Sequence, residues 1–169
     1  MKKVILSLLA GVCVMIAVSC SKENLNITGD WTSSLTLKND LASPENEEKT
    51  VGYAYVKQQI DFTFAEDGNY HRTISQSVIK AEAADDTFDA AEYMKEFGNK
   101  SENVELFGTY KVKGDKLTIT NHSLKNGDNL IPYEEFYQQV QALGPVVSTV
   151  KIALEDEKLS IDGISFSKK

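Results

Sequence analysis

From Val51 to Phe64 the side chains alternate, with Ala54, Val56, Ile60, Phe62 and Phe64 at the even positions. A period of two sends successive side chains to opposite faces of a strand, so this stretch predicts a strand with one apolar face. Glu66-Asp67-Gly68-Asn69 follows as a hairpin turn, because Gly and Asn tolerate positive φ. The return strand then puts Tyr70, Ile74 and Val78 on one face. Upstream, Ile27, Trp31, Leu35 and Leu37 keep the same period, with Gly29 and Ser33 between them. Downstream it resumes with Val104, Leu106, Tyr110 and Val112, then Leu117 and Ile119 beyond a Gly114-Asp115 turn. Val146, Val150, Ile152 and Leu154 continue it, and Glu155-Asp156-Glu157 turns the chain. Leu159, Ile161, Ile164 and Phe166 finish it, and the phase slip near Gly163 predicts a bulge.

Three stretches break the pattern. Lys38 to Thr50 is polar, acidic and carries Pro44, which predicts a loop. Asp85 to Phe97 spaces Phe88, Ala91, Met94 and Phe97 for one helix face, with Gly98 after the end. Tyr133 to Leu143 reads as helix or strand; Tyr133, Phe136, Val140 and Leu143 fit a helix closed by Gly144-Pro145. The count is seven or eight strands, mostly joined by tight turns. Parallel pairing needs crossovers of a dozen or more residues at most joins, so an antiparallel meander is expected. Closure removes the edges of such a meander. The expected fold is all-β with one or two inserted helices, an up-and-down barrel of eight antiparallel strands over residues 27–167.

The N-terminus has a different character. Lys2 and Lys3 precede an uncharged, mostly apolar run from Val4 to Val18, too short for a comfortable membrane span. It fits the apolar region of a secretory signal, ending in Ala17-Val18-Ser19-Cys20 before the polar Ser21-Lys22-Glu23-Asn24. This resembles a bacterial lipoprotein signal with its lipobox, although Ala17 stands where Leu is commonest. The resemblance implies cleavage of residues 1–19, lipidation of Cys20 with diacylglyceryl and a further acyl group such as palmitate, and a tether over 20–26. Cys13 then leaves with the signal, and the mature chain keeps no free thiol. Loss of residues 1–19 removes two lysines and no acids, taking the formal charge from −7 to −9. Ser21 is not the inner-membrane retention Asp of enterobacterial lipoproteins, which points to the outer membrane. Lys22-Glu23 partly resembles the surface-export signal of Bacteroidetes lipoproteins, leaving periplasmic and cell-surface faces both open.

Ile27-Thr28-Gly29-Asp30-Trp31 opens the mature domain with Gly-x-Trp on a first strand. With Phe64-Ala65-Glu66-Asp67-Gly68-Asn69-Tyr70, the run Gly108 to Ile119 and Asp156-Glu157-Lys158-Leu159-Ser160-Ile161, this resembles the lipocalin-like domains common in Bacteroidetes lipoproteins. The resemblance implies an eight-stranded barrel with Trp31 plugging one end. Two features depart from it. Residues 158–167 contain no Arg to pack over the Trp, and the helix expected near 85–97 lies mid-chain instead of after the last strand.

Chemistry is sparse. A charge of −7 and a pI near 4.9 leave no basic footprint for nucleic acid. His71 and His122 are the only histidines and are far apart, and no paired-His or CxxC spacing suggests a metal site. No GxSxG motif or Gly-rich phosphate loop occurs. We therefore expect a non-enzyme with no catalytic residues, no metal and no cofactor. One feature is less bland. Gln58, Arg72 and Gln76 fall in phase with Val56, Ile60, Tyr70 and Ile74 on two neighbouring apolar faces. Burying them unpaired is costly, so they sit at a solvated rim, form a satisfied network or line a pocket. As a pocket, with Trp31 and Tyr110, they would bind a small or amphiphilic ligand, Arg72 pairing its anionic or carbonyl group. The alternative is an envelope protein partner, or an inhibitor function, held by the inserted helices and the barrel rim.

Overall fold

The structure is a computed structural model that describes residues 24–139 and 144–169. Its elements are β1 (Gly29–Ser43), β2 (Asn46–Phe64), β3 (Asn69–Ala83), α1 (Ala90–Phe97), β4 (Ser101–Lys113), β5 (Lys116–Asn126), β6 (Asn129–Pro132), α2 (Tyr133–Gln139), β7 (Val147–Glu155), β8 (Lys158–Ile161) and β9 (Ile164–Lys168). Eight strands close into an antiparallel barrel, in the order β1-β2-β3-β4-β5-β7-β8-β9 and back to β1. The expected fold class is therefore the observed one. β6 hangs outside the ring as a second partner of β5.

Register follows the alternation. One rung joins Phe64, Tyr70 and Gly108 on β2, β3 and β4. The next joins Phe62, Arg72 and Leu106, the next Ile60, Ile74 and Val104, and the fourth pairs Gln58 with Gln76. Phe62, Phe64 and Tyr70 of the first two rungs meet Ile27, Trp31, Leu117, Ile152, Leu159, Ile161 and Phe166 in a core at one end. Phe62 and Phe64 stack at 5.2 Å, and Phe166 meets Phe62 edge-on at 5.4 Å. Each such buried side chain removes enough apolar surface to contribute about 1.5–3 kcal/mol. Trp31 is buried in this core, and its indole N–H donates to Ile27 O at 2.8 Å. A smaller cluster of Leu106, Leu124 and Tyr133 lies beside α2.

Bulges retune the inward phase. His122 is the extra residue on β5 between Asn121, opposite Gly108, and Ser123, opposite Phe107. The inward positions therefore change from odd (Leu117, Ile119, Asn121) to even (Leu124). Gly108 sits at this irregularity because a Cβ there would collide with the backbone carbonyl oxygen of Thr120, and would also be 2.8 Å from Tyr70 Cε1.

The other end is open. β1 pairs with β9 only at Trp31 and Thr32, while its pairing with β2 runs on to Ser43. The stretch expected as a loop, Lys38 to Thr50, is thus a long hairpin whose turn is Pro44-Glu45. It is polar because it projects past the core and is solvated on both faces, so alternation has nothing to record. α1 packs against β3 beside this extension. Phe88, just ahead of α1, lies on Gly52, where a Cβ would fall 2.5 Å from its ring.

Two further expectations change. Residues 162–163 do not form a bulge: Asp162 and Gly163 both take positive φ, 49° and 83°, and reverse the chain between β8 and β9. Asp-Gly is a hairpin signal in its own right. α1 begins at Ala90 rather than Asp85, because Asp89 caps it, accepting from the backbone N–H groups of Ala91 and Glu92. Asp85 instead closes a local turn onto Thr87 and pairs with Lys49 at 2.7 Å. Tyr133–Gln139 is helical, and the rest of that expected segment, 140–143, lies outside the described residues.

Candidate functional site

The barrel interior carries a polar group above the closed core. Strand alternation sends Tyr70, Arg72, Ile74 and Gln76 to the same side of β3, so Arg72 faces inward between Phe62 and Leu106. Its Cζ lies 5.7 Å from the centroid of the Phe62 ring. Its Nε is buried and has no hydrogen-bond partner among the described residues. Burial pulls its pKa below the ordinary Arg value, while the neighbouring Tyr70 and Tyr133 phenols act in the opposite direction. No carboxylate forms an ion pair with Arg72 among the described residues. An inward guanidinium with aromatic neighbours and no counter-ion is expensive, because nothing repays its desolvation.

The tyrosines around it are satisfied. Tyr70 OH donates to Asn121 Oδ1, and Asn121 is the buried polar residue of the described core. Asn121 Nδ2 donates to Pro145 O at 3.0 Å, and its backbone N–H donates to Val146 O at 2.8 Å. Tyr133 OH donates to Gly144 O at 2.8 Å. Residues 144–146 are thus tied down over β5 by both side chains. Burial pushes the Tyr70 phenol up to about 12, with Arg72 working against the shift. The Tyr133 phenol is raised for the same reason, burial first and Arg72 opposing. Both remain neutral donors near neutral pH, so neither serves as the counter-ion of Arg72.

The five sequence-predicted ligand residues separate. Arg72 lies on the inward face of β3, on the rung of Phe62 and Leu106. Gln58 and Gln76 face each other across β2 and β3, half-buried and exposed respectively. Four residues of strand, about 13 Å, separate their rung from that of Arg72, so they line the open half rather than the Arg72 rung. Trp31 belongs to the plug, with its N–H already used. Tyr110 packs edge-on against Phe64 at 4.8 Å and donates to Ala65 O at 2.9 Å, closing the β2–β3 turn. Cys20, the predicted lipidation site, lies outside the described residues. The Tyr70–Asn121 pair and Tyr133 were not predicted as site residues. Asn121 carried a usable signal, since it is in phase with Leu117 and Ile119 and cannot be buried without a partner.

Neither histidine joins this group. His71 stacks on Phe107 at 4.6 Å, with its Nε2 3.0 Å from Glu105, and His122 is exposed beside Thr109. An open groove of about 790 Å³ lies elsewhere, between the β1–β2 hairpin tip and α1, where Phe88 and Tyr93 meet Asp89, Glu92 and Glu96. The chain matches no protein-family model, and no curated protein matches it.

Proposed function

We propose that this chain is a lipocalin-like lipoprotein, anchored through Cys20 at the outer membrane, whose barrel binds a small or amphiphilic anion without catalysing a reaction. The observation that carries the ligand reading is the buried, unpaired Arg72 Nε. An anionic head group seated at Arg72 supplies the missing counter-charge in charge-assisted hydrogen bonds. Its apolar part would follow Ile60, Ile74 and Val104 towards the open half of the barrel. The strand order and the Trp31 plug support the lipocalin-like reading. So does Lys168, whose ammonium lies 6.0 Å from the Trp31 ring and takes the part of the Arg absent from residues 158–167. The anchor rests on the Ala17-Val18-Ser19-Cys20 pattern.

Native mass spectrometry of residues 21–169, purified gently from cells, tests the ligand. The expected spectrum shows a mass excess that disappears on denaturation and is missing from Arg72→Ala. A clean apo mass, unchanged after adding anionic lipids and fatty acids, overturns the reading. Metabolic labelling with an alkyne-bearing palmitate tests the anchor, and label is expected on the wild type and not on Cys20→Ala. The groove beside α1 favours a second reading, an envelope-protein partner docked on Phe88 and Tyr93.

A further inference from the structure

The extension built by β1, β2 and β3 has two edges, and the chain treats them differently. At the β3 edge the chain after α1 closes over the backbone: Gly98 bridges to Val78, and Asn99 N–H donates to Val78 O at 3.0 Å. At the β1 edge β9 reaches only Trp31 and Thr32. From Ser33 to Ser43, β1 has β2 as its single partner among the described strands. Ser34 and the run Thr36 to Asp40 are exposed, and Leu37 is 39% exposed. Such an edge offers a row of unpaired N–H and C=O groups that templates another strand. β1 stays regular against β2 as far as Leu41, where the first register shift occurs.

We infer that this edge pairs with the same edge of a second copy of the chain, antiparallel and centred on Asn39. The side chains select that partner and that register. Facing residues of an antiparallel pair share a sheet face, and opposite charges there stabilise while like charges destabilise. Centred on Asn39, Lys38 of each copy faces Asp40 of the other, and Leu37 faces Leu41, each twice by symmetry. Neither Lys38 nor Asp40 has an ion pair among the described residues of its own chain; Lys38 lies over the Tyr53 ring at 3.5 Å. Sliding the register by one pair in either direction is penalised. Centred on Lys38 it opposes two lysines, and centred on Asp40 it opposes two aspartates. The interface is therefore isologous and closes as a dimer.

All eight strands of the barrel and the two described helices lie within Gly29–Lys168, so residues 21–169 carry the described fold, and they contain no cysteine. In this protein Asn39→Cys is expected to form a disulfide-linked dimer in mild oxidant. Directly opposed residues bring their Cα atoms to about 4.5–5.5 Å, within disulfide reach. Thr36→Cys, on the same edge, faces Ala42 of the other copy and its own counterpart about 20 Å away, so it is expected to stay monomeric. Equal cross-linking of both variants, or of neither, overturns the proposal. Sedimentation equilibrium gives an independent readout, run also on the full-length chain in detergent. Lys38→Glu and Asp40→Lys are each expected to weaken dimerisation at least tenfold, and the double variant is expected to restore it. A wild type that is monomeric at all concentrations, or a double variant no tighter than the singles, contradicts it. Unchanged thermal unfolding shows that these exposed substitutions leave the monomer intact.

Discussion

The two halves of this barrel are made from the same strands but solve different problems. At the closed end β1 has two strand neighbours, and Trp31, Phe62, Phe64, Leu159 and Phe166 interlock. Past Thr32 the same strand has one neighbour, and the matching inward positions on β2 and β3 become Gln58 and Gln76. Arg72 stands at the border, on the rung of Phe62, with its Nε unpartnered and no ion pair among the described residues. The contrast teaches that stability is concentrated at one end. The other end leaves one edge of β1 exposed and holds Arg72 Nε without a hydrogen-bond partner among the described residues.

Truncating a side chain affects the two ends most unequally. Leu159→Ala removes a fully buried side chain from the closed core, and large-to-small changes there cost about 2–5 kcal/mol. Leu37→Ala, on the exposed extension, is expected to stay within about 0.5 kcal/mol at protein concentrations low enough to keep the chain monomeric, as surface changes do. Equilibrium urea unfolding measures both, and equal losses would erase the distinction between the halves.

Alkaline pH sharpens it next. The Tyr70 phenol is pushed up to about 12 in the folded protein by burial. Between the unfolded value near 10 and that folded value, the native state keeps a proton the unfolded state has lost. Stability is therefore full below about pH 10 and falls through this window, by about 2–3 kcal/mol. Tyr70→Phe is expected to remove this contribution from a series of unfolding curves at rising pH, leaving that of Tyr133, while lowering stability at pH 7 by leaving Asn121 Oδ1 without its donor. In the open half a smaller effect is expected. Asp89→Ala deletes the cap of α1 and should cost about 1 kcal/mol. Hydrogen exchange should show its loosening confined to α1 and the neighbouring end of β3.

The sequence made the closed half legible and the open half much less so. Period-two alternation locates strands where one face is buried, which is why Val51 to Phe64 and Gly108 to Ile119 were readable. The same rule failed at Lys38 to Thr50, because a hairpin solvated on both faces has no apolar side to mark. β6 escaped notice for a related reason: Asn129–Pro132 is short, peripheral and mostly exposed. Asp162-Gly163 was missed because two short strands in one apolar run looked like a single strand with a slip. Of the site, Arg72 was visible as a charge in an apolar phase. Trp31 and Tyr110 were assigned to the ligand on phase alone, yet their polar atoms are spent on Ile27 O and Ala65 O. Alternation gives the face of a residue; its height along the barrel needs the register.

A cation held without a structural partner at Arg72 is what separates a binding site from a structural network. Equilibrium unfolding of Arg72→Met against wild type, both stripped of ligand, measures this directly. Met keeps the apolar bulk and removes the buried charge, so the variant is expected to be as stable as wild type or about 1 kcal/mol more stable. A loss of about 3 kcal/mol or more would mean that Arg72 is part of a satisfied structural network, and it would contradict the account.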